Sequence, residues 1–263
     1  MVKTLKASNS RASNPIPHWS ICALSLFPWT GASAQLAADP QEAKSFISNG
    51  SHTNKIDYLL HLPRGYQAHP DTKWPLMLFL HGAGERGGDV QAVAWNGPPK
   101  LVKEGHDLPF VIVSPQCASN QWWNDAILLG LLDDVEARYR IDTNRVYLTG
   151  LSMGGYGTWS LGFKHPERFA ALVPICGGGQ PSVLEKAGPK KLEAIKSLGI
   201  WVFHGVKDQT VPIAKSERMV EGLKKIGCTD VTFTKYPNAD HDSWTFTYNN
   251  PQLYHWLLAH HRN

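Results

Sequence analysis

Four short runs in this chain are apolar without alternation: "LMLFL" (Leu76 to Leu80), "FVIV" (Phe110 to Val113), "FAALVPI" (Phe169 to Ile175) and "IWVF" (Ile200 to Phe203). A strand with one wet face alternates between apolar and polar residues. A strand that does not alternate has both faces covered, as in a parallel sheet under helices. Between these runs the spacing changes to helical. Ile127, Leu128, Leu131, Leu132, Val135 and Tyr139 share one face of a helix, with Asp133, Asp134, Glu136 and Arg138 on the other. "RVYLTG", "KIDYLLHLP" and "VTFTKYP" read as further strands. "YGTWSLGFKH", "IAKSERMVEGLKKIG" and "PQLYHWLLAHH" read as helices. The alternation predicts one α/β domain over residues 55–263, with a mainly parallel sheet, helices on both faces and right-handed connections. About two dozen residues separate Cys176 from Gly199, which leaves little or no room for a lid.

The first 34 residues differ from the rest. Lys3, Lys6 and Arg11 precede the mostly apolar "ICALSLFPW", and Ala32-Ser33-Ala34 has the form of a signal-peptidase site. A signal peptide over 1–34 is expected, with cleavage before Gln35, an N-terminal extension over 35–54, and a secreted or periplasmic protein. Cleavage there removes three basic and no acidic residues. Lys plus Arg then falls from 26 to 23 against 22 acids, a net charge near +1. That balance gives no electrostatic reason to expect nucleic acid as a partner. No apolar run reaches the ~18 residues of a spanning helix, so no stable membrane insertion is expected. Cys117, Cys176 and Cys228 are odd in number and widely spaced, with no C-x-x-C. They are expected as buried thiols rather than a zinc site, one bridge being compatible with an oxidising compartment.

In "RVYLTGLSMGGYGTW", Gly150-Leu151-Ser152-Met153-Gly154 fits G-x-S-x-G. The bare pattern arises by chance in roughly one chain in ten of this size, so its setting carries the weight. A strand pattern precedes it and a helix pattern follows, the context of a nucleophile elbow. A serine hydroxyl needs a base, and the base needs an orienting acid. Asp208 in "FHGVKDQTVP" and His241 in "YPNADHDSW" follow in the order serine, acid, histidine, each in a loop after a strand. Ser152, Asp208 and His241 are therefore the candidate nucleophile, acid and base. Asp240 and Asp242 read as turn residues, and His81 and His204 as loop-supporting residues. The oxyanion donors expected are the N–H groups of Met153 and of Ala83, with Gly82 second, in the loop "HGAGERGG".

Together HGAGERG, GLSMGGYGTW, GVKDQTVP and ADHDSW resemble the α/β-hydrolase superfamily. More narrowly they are similar to secreted bacterial esterases of the phospholipase/carboxylesterase type, a group often labelled "predicted peptidase". That group neighbours polyhydroxybutyrate depolymerase-like and feruloyl or acetylxylan esterase-like proteins. The likeness covers Lys55 to the C-terminus and implies the same three residues in the same roles.

The expected function is that of a serine carboxylesterase acting through an acyl-enzyme. Its substrates would be short-chain or aryl esters, as small molecules or attached to plant polysaccharide. Trp122, Trp123 and Trp244 are candidates to line the substrate pocket; packing of the paired tryptophans onto the body is the competing reading. Glu85 and Arg86 could bind a polar substrate group or pair with each other. A peptidase of the same fold and a non-catalytic carbohydrate- or partner-binding member stand as alternatives. No P-loop, dinucleotide fingerprint or H-E-x-x-H occurs, so neither a cofactor nor a catalytic metal is expected. Acyl-chain preference and oligomeric state are not encoded in any motif.

Overall fold

A computed structural model of the chain describes residues 40–49 and 53–262. The signal peptide expected over residues 1–34 lies outside them. In chain order the elements are β1 (Gln41–Asn49), β2 (Thr53–His61), β3 (Trp74–Leu80), α1 (Gly97–Lys103), β4 (Val111–Pro115), α2 (Asp125–Arg138), β5 (Ile141–Leu151) and α3 (Met153–Lys164). There follow β6 (Ala171–Ile175), α4 (Ser182–Glu185), α5 (Pro189–Lys196), β7 (Gly199–Gly205), α6 (Ala214–Lys225), β8 (Val231–Tyr236), α7 (Trp244–Tyr248) and α8 (Pro251–Ala259).

The strands form one eight-stranded sheet in the order β1-β2-β4-β3-β5-β6-β7-β8. β1–β2 and β2–β4 pair antiparallel, and every other neighbouring pair is parallel. The two-faced apolar runs thus form the parallel centre. Within β3, Leu76, Leu78 and Leu80 face one core and Met77 and Phe79 the other, and all five are fully buried. The first core also holds Leu131 and Leu132 of α2, Trp159 and Phe163 of α3, and Met219 and Leu223 of α6. The second holds Leu101 and Val102 of α1 and Leu253 and Leu257 of α8. Burying each such side chain contributes about 1.5–3 kcal/mol.

Three boundaries differ from the sequence reading. The domain boundary expected at residue 55 falls inside β2, and β1 pairs with β2 along its whole length, from Gln41↔His61 to Asn49↔Thr53. β1 is an edge strand in which, over residues 41–48, only Gln41 is buried and the rest are exposed or half-buried, so its sequence is largely polar and carries little burial signal. β3 and β5 also begin earlier than their apolar runs, with Trp74 opposite Ile141. The register shifts between Trp74 and Leu76, at Pro75, which has no N–H to give the ladder. The β6–β7 connection holds α4 and α5, whose Leu184 and Ile195 are buried in the first core.

Register sets where the loops emerge. Leu80 lies opposite Gly150, Ile175 opposite Phe203, and Gly205 opposite Tyr236. The carboxyl ends of β3, β5, β6, β7 and β8 therefore lie at one edge of the sheet, where open α/β sheets place their ligands.

Candidate active site

Ser152 sits between β5 and α3 with φ 52° and ψ −114°, a conformation that costs a non-glycine residue of order 1–3 kcal/mol. The turn is held because Ser152 N–H donates to the Ile175 carbonyl at 3.0 Å and α3 starts at once. Close approach of backbone explains the glycines around it. A Cβ on Gly154 would run into the Leu80 carbonyl, and one on Gly155 would lie 2.5 Å from the Ile175 oxygen.

His241 follows β8 and Asp208 follows β7. His241 Nε2 lies 2.9 Å from Ser152 Oγ, and His241 Nδ1 lies 2.7 Å from Asp208 Oδ2. A carboxylate only accepts, so Nδ1 carries the ring proton and Nε2 presents a lone pair to the serine hydroxyl. The Asp208 side chain is fully buried. Its Oδ1 accepts from the N–H groups of Thr210 at 3.0 Å and Val211 at 2.8 Å, which offset the desolvation of the charge. Asp240 and Asp242 are turn residues here. Asp240 accepts from the N–H of His241 at 2.8 Å, and Asp242 from that of Thr245 at 3.1 Å.

The two loop-supporting histidines are buried. His81 Nε2 accepts from the Cys117 N–H at 2.9 Å, so Nδ1 is the donor to the Gly82 carbonyl at 2.5 Å. Burial pushes its pKa down to about 4. His204 meets Ser216 Oγ and the Val211 carbonyl, each at 2.8 Å, and its Nε2 lies 3.2 Å from the same Asp208 oxygen that His241 uses. Burial lowers its pKa, and the Val211 carbonyl and Asp208 oppose that.

The loop after β3 forms a 3-10 turn, Ala83–Glu85, opened by Ala83 as Met153 opens α3. The first N–H groups of a helical turn have no acceptor within it, so both are available to a ligand oxygen. Pairing of β3 with β5 brings the two turns side by side. Glu85 and Arg86 do not pair. Glu85 is buried and accepts from Asn96, whereas Arg86 donates to the carbonyls of Ala83 and Gln121.

The three tryptophans separate. Trp122 and Trp123 line a cavity of about 470 Å³ with Tyr156, Gly157, Trp159 and Phe163. Trp122, 64% exposed, stands edge-on to Tyr156 at 6.3 Å. Trp244 is not among that cavity's walls. Its indole N–H is taken by Asn96 Oδ1 at 3.1 Å, and its ring lies 5.3 Å from His241 at 89°. Trp244 therefore stands beside the candidate base and apart from the cavity of Trp122 and Trp123; its nearness to His241 in sequence gave no sign of which way the ring points.

Two residues escaped the sequence reading. Tyr156 lies one helical turn beyond Ser152, its N–H bonded to the Ser152 carbonyl, and its side chain is a wall of the cavity, whose lining includes none of Ser152, Asp208 and His241. Its i+4 spacing from the nucleophile was the available signal. Cys176, with φ 39°, directly follows β6; its Sγ, a carboxylate oxygen of Asp208 and a ring nitrogen of His241 lie within 4.8 Å of one another. Burial pushes its thiol well up, so it is protonated near neutral pH. Cys117, Cys176 and Cys228 are all free and buried.

Against known proteins, the family described as phospholipase/carboxylesterase matches residues 124–250. Poly(3-hydroxyalkanoate) depolymerase C of Paucimonas lemoignei is 28% identical over 150 residues, half of this chain and 34% of that protein. A probable feruloyl esterase C of Aspergillus terreus is 27% identical over 173 residues, 64% of this chain and 60% of that one. A crystal structure of a thermostable esterase superimposes with a TM-score of 0.71 at 35% identity, covering 85% of this chain and 64% of that one. The chain spans less than two thirds of the length of each of these three proteins.

Proposed function

We propose that this chain, an α/β-hydrolase of the phospholipase/carboxylesterase family, is a serine esterase that cleaves short-chain or aryl carboxylic esters through an acyl-enzyme. The observation that carries this reading is the unbroken run Asp208–His241–Ser152, with contacts of 2.7 and 2.9 Å and one consistent tautomer.

His241 Nε2 takes the hydroxyl proton as Ser152 Oγ attacks the ester carbonyl. The buried Asp208 carboxylate stabilises the imidazolium that forms. The carbonyl oxygen, now negative, is met by the N–H groups of Met153 and Ala83. The tetrahedral intermediate collapses as His241 protonates the leaving alcohol, and acyl-Ser152 remains. Water then attacks under the same base, His241 returns the proton to Ser152, and the acid is released. The aromatic cavity beside Tyr156 is the place for the apolar part of the substrate. About 470 Å³ suits an aryl or short acyl group. The feruloyl esterase and depolymerase relatives favour an aryl or polyester-derived substrate, and the plant polysaccharide esters are part of this proposal.

The test is a panel of p-nitrophenyl acetate and butyrate, methyl ferulate, acetylated xylan and peptide anilides, run with wild type and Ser152→Ala. Ester turnover lost in Ser152→Ala with the fold retained supports the reading. Retained turnover, or turnover of the anilides alone, overturns it. Export belongs to the same proposal and rests on residues 3–34; a protein recovered outside the exporting cell still beginning at Met1 would contradict cleavage before Gln35.

A further inference from the structure

Asn96 stands at the N-cap of α1 without capping it. An asparagine there ordinarily accepts from a backbone N–H two or three residues on, but those residues are Pro98 and Pro99, which have no N–H to give. In this fold both ends of the amide turn away from the helix. Nδ2 donates to Glu85 Oε1 at 2.7 Å, and Oδ1 accepts from Trp244 Nε1 at 3.1 Å.

Each partner belongs to a different half of the candidate site. Glu85, 3% exposed, closes the 3-10 turn that Ala83 opens, and Gln116 Nε2 donates to its carbonyl at 2.8 Å. Trp244 opens α7 and sets its ring against His241. One side chain therefore joins the oxyanion loop to the ring beside the base, and its partner Trp244 is 148 residues away in sequence. The backbone accommodates this arrangement. Gly97, the next residue, has φ +71°, and a Cβ on it would lie 2.5 Å from Phe79 Cζ.

We propose that Asn96 is a positioning residue for ester hydrolysis, holding the oxyanion donors and the plane of His241 in register through Glu85 and Trp244. The inference rests on the serine-esterase reading above. Donors that stabilise an oxyanion are effective because they are fixed before the charge develops. A base must likewise keep both of its ring contacts through the proton transfers. Neither loop alone fixes the other, and among the described residues this amide makes hydrogen bonds to both.

The experiment uses the full chain as Asn96→Ala, Trp244→Phe and the double variant, beside wild type and Ser152→Ala. The readouts are kcat and KM for p-nitrophenyl acetate, the rate of Ser152 labelling by a fluorophosphonate, and Tm. Each single variant is expected to lose about tenfold in kcat and in labelling rate, with KM changed less than about twofold. The double variant should match Asn96→Ala, because Trp244 donates to the amide that Asn96→Ala has already removed. Trp244→Phe keeps an aromatic ring beside His241 while removing the indole N–H, so it reads the idea even where Asn96→Ala does not fold. A kcat and labelling rate within about twofold of wild type in Trp244→Phe, whatever the Tm, overturns the proposal, as do losses that multiply in the double variant. A wild type that hydrolyses no ester would sink the esterase reading instead. The labelling rates, which need only an activated serine, would then still decide on Asn96.

Discussion

Ser152 Oγ and His241 Nε2 lie 2.9 Å apart, although 89 residues separate them in the chain. The contact is made by two loops leaving the same edge of the sheet, and its chemistry depends on which ring nitrogen carries the proton. Asp208 sets that choice. Its Oδ1 is held by two backbone N–H groups, so Oδ2 is the atom left to face His241 Nδ1.

Asp208→Asn should therefore be far more damaging than its isosteric shape suggests. The amide oxygen will keep the Thr210 and Val211 N–H groups, which turns the NH2 towards His241. Nδ1 must then accept, the proton moves to Nε2, and the ring faces Ser152 with the wrong tautomer. A loss of about 10³–10⁴ in kcat is expected, with Tm little changed, measured by steady-state ester hydrolysis and thermal melting. A loss below tenfold would show that Asp208 does not orient the base.

Ala83→Pro removes one candidate oxyanion donor with little backbone cost. Ala83 is the first residue of its turn, where proline fits, and Gly82 before it is extended at φ −78° and ψ −177°, which a following proline favours. kcat should fall by about 10²–10³ with KM nearly unchanged. A fall of less than threefold would move the donor elsewhere in the loop, to Gly82 first.

Stability should decline as pH falls from 6.5 towards 4, and His81 should account for part of it. An unfolded imidazole takes up its proton near the ordinary value of 6.5, whereas the buried one resists until about 4. Between those values the unfolded chain binds more protons, so acid favours unfolding. The contribution is absent above 6.5 and reaches about 3 kcal/mol near pH 4. His204, also lowered by burial, acts in the same direction. Urea unfolding across this range should give a shallower slope for His81→Gln; an unchanged slope would refute the assignment.

Trp122→Ala should separate substrates. The side chain is largely exposed and meets Tyr156 edge-on at the cavity, so Tm should barely move. An aryl acyl group that packs there loses a contact of ~1–1.5 kcal/mol, about tenfold in KM for methyl ferulate. p-Nitrophenyl acetate, too small to reach it, should be unaffected. Equal losses on both substrates would place the aryl site elsewhere.

The parallel centre and the order of the candidate residues were legible from the chain because both are local patterns. Burial on two faces leaves unbroken runs such as Leu76 to Leu80. A backbone packed against a carbonyl demands glycine at positions such as 154, which marks the strand-to-helix turn around Ser152. Edge position leaves no such trace, which is why the sequence of β1 looks like an extension ahead of the domain. Proline 75 likewise concealed the start of β3, since a residue without an N–H looks like a strand end until its neighbour is seen to pair across it.

Orientation is decided elsewhere. From sequence alone, Trp122, Trp123 and Trp244 are equivalent aromatic residues near candidate catalytic loops, and Glu85 and Arg86 are neighbours of opposite charge. Only the packed structure turns Trp244 onto Asn96 and His241, buries Glu85 against the same amide, and sends Arg86 to backbone carbonyls. A hydrogen bond between distant loops is specified by how the whole sheet brings their ends together. No stretch of residues short enough to read as a motif contains that information.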